Sequence, residues 1–279
     1  MLSPDVYQNI ENLPLDQQEE MLKLLDEYKS VIKQDEARSS YMGFVKHMWP
    51  AFIQGRHHKI MSEAFEKIAR GDLKRLIINM PPRHTKSEFA SFLLPAWFLG
   101  QYPDKKIIQT AHTAELSVGF GRKVRNLVDS DDFKKVFPKL ALRADSKAAG
   151  RWSTNAGGEY FAIGVGGAVT GKGADLLIID DPHSEQEGQS ADPSVFDRTY
   201  DWYTSGPRQR LQPGGAIVIV MTRWHMRDLT GKIIKASAQR KGTDEWEVIE
   251  FPAIMPSGNP LWPEFWSIEE LTSLQSELP

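Results

Sequence analysis

Residues 75–88 read RLIINMPPRHTKSE, and this stretch decides the fold. The run 75–80 is short, apolar and rich in β-branched residues, which predicts a buried strand. Pro81 and Pro82 close the strand, and a helical run opens at Ser87. Strand, tight loop, Lys-Ser and helix together form a phosphate-binding arrangement, because the backbone N–H groups of such a loop and helix start hold anionic oxygens. In it Lys86 reaches the β and γ phosphates of a nucleoside triphosphate and the Ser87 hydroxyl ligates Mg²⁺. The usual pattern is G-x-x-x-x-G-K-[ST]; here Met80 and Thr85 stand where the two glycines belong. Taken alone this is a weak match, since a Lys-Ser pair after a strand is more often a plain helix start.

Two further strand ends strengthen it. Residues 174–181, ADLLIIDD, form an apolar strand ending in two carboxylates. Adjacent carboxylates at a buried strand end repel each other and need a cation or a proton. Asp180 then holds the metal, through water or Ser87, and Asp181 polarises an attacking water; a solvated turn before Pro182 is the plainer alternative. Residues 216–225, AIVIVMTRWH, form a third apolar strand ending in polar groups, and Thr222 is placed to sense a γ phosphate.

Around these strands the chain alternates. Strands are predicted at 75–80, 106–111, 160–165, 176–180, 216–222 and 247–251. Helices are predicted at 57–70, 87–100, 114–129, 194–206, 226–240 and 267–277. Such alternation predicts an α/β fold with a mostly parallel sheet covered on both faces and ligands at the carboxyl ends of its strands. Residues 1–40 read as an N-terminal helical arm, with Leu22, Leu24, Leu25 and Tyr28 at helical spacing. Residues 41–250 read as a nucleotide-binding core and 251–279 as a small lid or linker.

The bulk numbers exclude several classes. The 279 residues carry a net charge of -3, so nucleic acid must be met through a local patch or an assembled pore. There is no cysteine, which removes disulfide scaffolds, Cys-ligated zinc and thiol catalysis, and fits a reducing cytosol. No apolar run approaches the roughly 20 residues that span a bilayer, so no membrane partner is expected.

The strings RLIINMPPRHTKSE, DLLIIDDPHSE and IVIVMTRWHMRDL resemble the Walker A, Walker B and coupling motifs of bacteriophage terminase large subunits. FIQGRHHKIM, at 52–61, resembles the segment that helps hold adenine in that family, and LWPEFWSIEEL, at 261–271, the stretch before its nuclease domain. The resemblance runs from about residue 41 to 279. It implies an ASCE-type P-loop NTPase fold and an ATPase that drives double-stranded DNA into a procapsid. It implies ATP and Mg²⁺ as cofactors, with Arg83, His84, Thr85, Lys86, Ser87 and Gln54 on the nucleotide, Ser87 and Asp180 on the metal, and Asp181, Arg83 and Thr222 in catalysis. The partners it implies are the portal protein, the small terminase subunit and further copies in a pentameric ring, in the host cytoplasm at the portal vertex. No nuclease activity is expected from these residues. Thr85 departs from the family's glycine and must place a Cβ where backbone angles are often unusual. Asp181 departs from its more frequent glutamate. A helicase-like P-loop ATPase and a nucleotide-binding structural protein that no longer hydrolyses stay open as alternatives.

Other residues read two ways. The glycine-rich run 164–173 suits a mobile loop presenting Lys172 to a neighbouring subunit, or a plain flexible turn. Arg122, Lys123 and Arg125, and Arg208 with Arg210, suit DNA or subunit contacts, although solvated faces are the default for such clusters. His57 and His58 carry no matching ligand spacing for a metal and suit stacking near the base. Asp228 suits a helix cap.

Overall fold

The computed structural model describes residues 13–190, 192–239, 242 and 244–277. Residues 1–12 of the expected arm, and the last residue of the expected 226–240 helix, lie outside them.

One eight-stranded sheet carries the fold. Its strands are β1 (Arg75–Asn79), β2 (Lys106–Ala111), β3 (Leu142–Ala148), β4 (Arg151–Thr154), β5 (Glu159–Gly164), β6 (Ala174–Asp180), β7 (Leu211–Met221) and β8 (Glu247–Glu250). Their order is β3-β4-β5-β2-β6-β7-β1-β8. From β5 to β8 every neighbouring pair is parallel, whereas β3 and β4 pair antiparallel at the edge. The expectation of a mostly parallel α/β sheet holds. β3 and β4 went unread because β3 is charged and β4 is only four residues long. Trp152 of β4 is nevertheless fully buried, stacked on Tyr160 at 5.0 Å between ring centroids.

Successive residues of the central strands point to opposite faces. Leu76 and Ile78, Leu176 and Ile178, and Val218 and Val220 enter one apolar core, against the helices Tyr41–Met48, Arg56–Arg70 and Ala114–Asp129. Ile77, Leu177, Ile179, Ile217 and Ile219 enter the other, against the helices Ser194–Ser205 and Leu229–Gln239. Both faces are therefore covered, and that is why these strands are apolar throughout instead of alternating. The long helix Leu15–Ser39 is held mainly at its end, where Arg38 Nε donates to the Val136 carbonyl at 2.8 Å and Trp97 Nε1 to the Ala37 carbonyl at 3.2 Å. Its Leu22, Leu24 and Tyr28 are exposed.

The single helix expected over 87–100 is instead a π-helical segment, Glu88–Leu93, followed by the α-helix Leu94–Gln101. The physical reason is Pro95. It has no N–H to return to the Ser91 carbonyl, and the Leu94 N–H reaches five residues back to Phe89.

Candidate functional site

The strand order places β7 between β6 and β1, so three distant segments end side by side. Residues 81–85 leave β1, and Lys86 and Ser87 already lie in helical geometry. The loop is tightly wound: Arg83 and Thr85 have φ of 60° and 66°, in the left-handed region. Asp181, where β6 ends, has φ 39°. Non-glycine residues in this region carry strain that clusters at functional sites.

The side chains converge. Lys86 Nζ is 2.9 Å from Asp181 Oδ2 and donates to Thr222 Oγ1 at 3.1 Å. The Thr222 backbone N–H donates to Asp181 Oδ1 at 2.8 Å. Ser87 Oγ donates to Asp180 Oδ1 at 3.0 Å and Ser91 Oγ to Asp180 Oδ2 at 2.7 Å. Gln109 Nε2, from β2, donates in turn to Ser91 Oγ at 2.9 Å. Lys86 and Asp180 are both buried, and Asp181 is partly open.

Asp180 is a buried carboxyl beside a second one. Burial, and then the charge of Asp181, push its pKa up to about 7 against the hydroxyls of Ser91 and Ser87 and the ammonium of Lys86. A carboxylate in that setting calls for a cation. Among the described residues no group of three or more His, Asp or Glu side chains gathers as a metal cage. A hydroxyl and a single carboxylate suit Mg²⁺, which is commonly completed by water and substrate phosphates. The donor set therefore fits Mg²⁺ brought with a nucleotide.

Beside the loop lies a cavity of about 530 Å³, lined by Arg83, Lys86 and Ser87 on one side and by Trp49, Phe52 and Ile53 with Trp262 and Trp266 on the other. Polar groups at one end and aromatic faces at the other suit a phosphorylated, ring-bearing ligand. Arg83 is exposed at the rim, while His84 is buried, its Nδ1 2.8 Å from the Pro82 carbonyl. Gln54 is exposed next to Ile53 and its side chain is not part of the wall. His57 and His58 are fully buried behind the loop; burial, with His84 nearby, lowers the pKa of His57 to about 4.

Several other readings are now placed. Lys172 does not project: it pairs with Glu159 at 3.3 Å and lies over the Phe161 ring. Arg208 pairs with Asp244 at 2.7 Å, and Arg75 Nε reaches the same carboxylate at 2.8 Å. Lys123 lies 3.5 Å from Glu88. Asp228 does cap its helix, accepting from the Gly231 N–H at 2.9 Å; it also accepts from Arg223 Nε and the backbone N–H of Trp224 at 3.0 and 3.1 Å. Ser91 and Gln109 were not read as site residues. The signal for Ser91 is its i, i+4 spacing from Ser87, which puts both hydroxyls on one helical face, whereas Gln109 reaches the site from β2 by a tertiary contact that no local spacing marks.

The fold and this constellation define a P-loop NTPase architecture, with one strand between the loop strand β1 and the carboxylate strand β6. No known family's sequence profile matches the chain, and no curated protein matches it in sequence. In three dimensions it is similar to the large terminase of bacteriophage HK97, with a TM-score of 0.53, 15% identity, and coverage of 82% of this chain and 48% of that one. It is also similar to a mutant form of the ATPase domain of the large terminase of Thermus phage P74-26, with a TM-score of 0.50, 15% identity, and coverage of 85% and 92%. At these identities the likeness is one of fold. The chain spans about half the length of the HK97 protein.

Proposed function

We propose that this chain is an ATP-hydrolysing motor domain of the terminase large-subunit kind, moving double-stranded DNA into a procapsid. The observation that carries the reading is the meeting of Lys86 and Ser87, Asp180 and Asp181, and Thr222 at the carboxyl edge of one sheet. The base of ATP lies among Trp49, Phe52 and Trp262, and the triphosphate lies on 81–88. Lys86 exchanges Asp181 for the β and γ phosphate oxygens. Ser87 and Asp180 hold Mg²⁺, which when bound screens the charge between the phosphates. Asp181, released from Lys86, orients the attacking water. Arg83, at the rim, stabilises charge on the γ phosphate, and Thr222 takes the place beside it. The chemistry is mainly positioning and charge stabilisation.

Loss of the γ phosphate is relayed from Thr222 through the adjoining Arg223, held by Asp228 at the head of the helix Leu229–Gln239. The working assembly is a pentameric ring with the portal protein and the small terminase subunit, in the host cytoplasm at the portal vertex. Residues 41–250 act as the motor core, with 1–40 as an arm and 251–279 as a lid or linker.

Steady-state phosphate release tests this. Wild type turns over ATP with Mg²⁺, duplex DNA raises the rate without strands separating, and Lys86→Ala stays at the protein-free background. Equal release from wild type and Lys86→Ala defeats the enzyme reading, and DNA unwinding moves it to a helicase.

A further inference from the structure

Thr85 occupies a left-handed turn at φ 66°, where a β-branched residue is disfavoured and glycine is at ease. A chain of hydrogen bonds holds it there. The Gly55 N–H donates to His58 Nδ1 at 2.8 Å. A ring nitrogen that accepts carries no proton, so in the neutral imidazole the proton sits on Nε2. His58 Nε2 therefore donates to Thr85 Oγ1 at 2.6 Å, and the Thr85 hydroxyl donates onward to the His84 carbonyl at 2.6 Å. Each proton has one place to go.

His58 is itself fixed from several sides. It is fully buried and stacked on Phe89 at 4.8 Å between centroids, with the Phe52 ring at 4.7 Å and the Trp262 ring at 4.9 Å, both edge-on. Burial, with His57 and His84 close by, holds the ring neutral. Gly55 has no room for a side chain: a Cβ there meets Trp262 Cδ1 at 2.6 Å.

We propose that His58 is a positioning residue, holding Thr85 in the left-handed turn and so presetting the loop 81–88 for a ligand's phosphates. The inference rests on the nucleotide reading of that loop. The hydroxyl of Thr85 and the imidazole of His58 together replace the freedom a glycine has at this position. The same bonds join the segment 51–55, which supplies Ala51, Phe52 and Ile53 to the cavity wall, to the phosphate side of the site.

The test is calorimetric titration of the full chain with ADP and Mg²⁺. Val is the closer isostere of Thr, yet Thr85→Val keeps the branched Cβ and loses both hydroxyl bonds. It is therefore expected to bind ADP about tenfold more weakly than Thr85→Gly, which removes the strain itself. His58→Phe keeps the ring and its stacking and loses affinity about tenfold. Adding Thr85→Gly to His58→Phe recovers at least about threefold, which a residue that only fills the core does not allow. Val binding as well as Gly, or losses at the two sites that simply multiply, overturns the proposal. If melting curves show His58→Phe unfolded, the two Thr85 variants decide alone. Wild type that binds no ADP removes the nucleotide reading and the clamp together, whereas wild-type binding with Val equal to Gly removes only the clamp.

Discussion

Ser87 Oγ donates to Asp180 Oδ1 at 3.0 Å across 93 positions of sequence. The neighbouring residues repeat the relationship, since Lys86 Nζ lies 2.9 Å from Asp181 Oδ2. Two adjacent residues at the helical start after the loop thus face two adjacent carboxylates at the end of β6, hydroxyl to one and ammonium to the other. Under the proposed function, the pair between Lys86 and Asp181 is the one that a triphosphate replaces.

Asp181→Asn separates binding from chemistry. The amide still accepts from the Thr222 N–H, so the strand ends keep their geometry. On the proposed role the amide no longer polarises or orients the attacking water, and hydrolysis is expected to fall by about 10²–10⁴ while ATP still binds. Titration with ATP alongside phosphate release checks this, and lost binding reassigns Asp181 to metal or folding.

Ser91→Ala acts on Asp180, the proposed Mg²⁺ ligand, from behind the proposed nucleotide site. Asp180 Oδ2 loses its hydroxyl donor, and Gln109 loses the acceptor it holds at 2.9 Å. Outer partners of this kind set metal affinity by about 10–100-fold. The Mg²⁺ concentration needed for half-maximal ATP binding is expected to rise within that range; an unchanged requirement contradicts the role.

Asp228→Ala tests how much the buried carboxylate behind Thr222 and Arg223 holds that segment in place. Asp228 is fully buried and pairs with Arg223 while capping the following helix. Its removal leaves those donors without their acceptor and costs about 3 kcal/mol of stability. Chemical denaturation measures this, and a loss under about 1 kcal/mol means the carboxylate carries little.

Acid weakens the fold in a defined window. His57 is held down to about 4 by burial, and His58, His84 and His183 are also lowered, chiefly by burial. An unfolded chain binds these protons near 6.5 and the folded chain does not. Stability present above pH 6.5 is therefore lost as pH falls toward 4, each group contributing up to about 1.4 kcal/mol per pH unit. Asp180, raised to about 7, acts the other way by holding a proton in the folded chain. Four groups outweigh one, so the melting temperature is expected to drop between pH 6.5 and 4.5; a flat or rising profile contradicts this.

The central strands were legible because burial on both faces leaves a continuous apolar run, as in Leu176, Leu177, Ile178 and Ile179. The polar strand ends were legible because their chemistry interrupts such runs. The edge was not: Leu142–Ala148 is mostly polar and charged, with no apolar run to mark a strand, and the burial of Trp152 comes only from the fold. The π-helical segment follows from Pro95, whose missing N–H is plain in the sequence but whose widening of the turn before it is set by how that turn packs. The link from His58 to Thr85 depends on a tertiary contact between a helix and a loop, and no local pattern carries it.

A crystal structure with a nonhydrolysable ATP analogue and Mg²⁺ tests the central claim most directly. The account predicts Lys86 Nζ drawn from Asp181 onto the β and γ phosphate oxygens, with the metal against Ser87 Oγ and the base among Trp49, Phe52 and Trp262. An analogue seated elsewhere, with the pair between Lys86 and Asp181 intact, contradicts it.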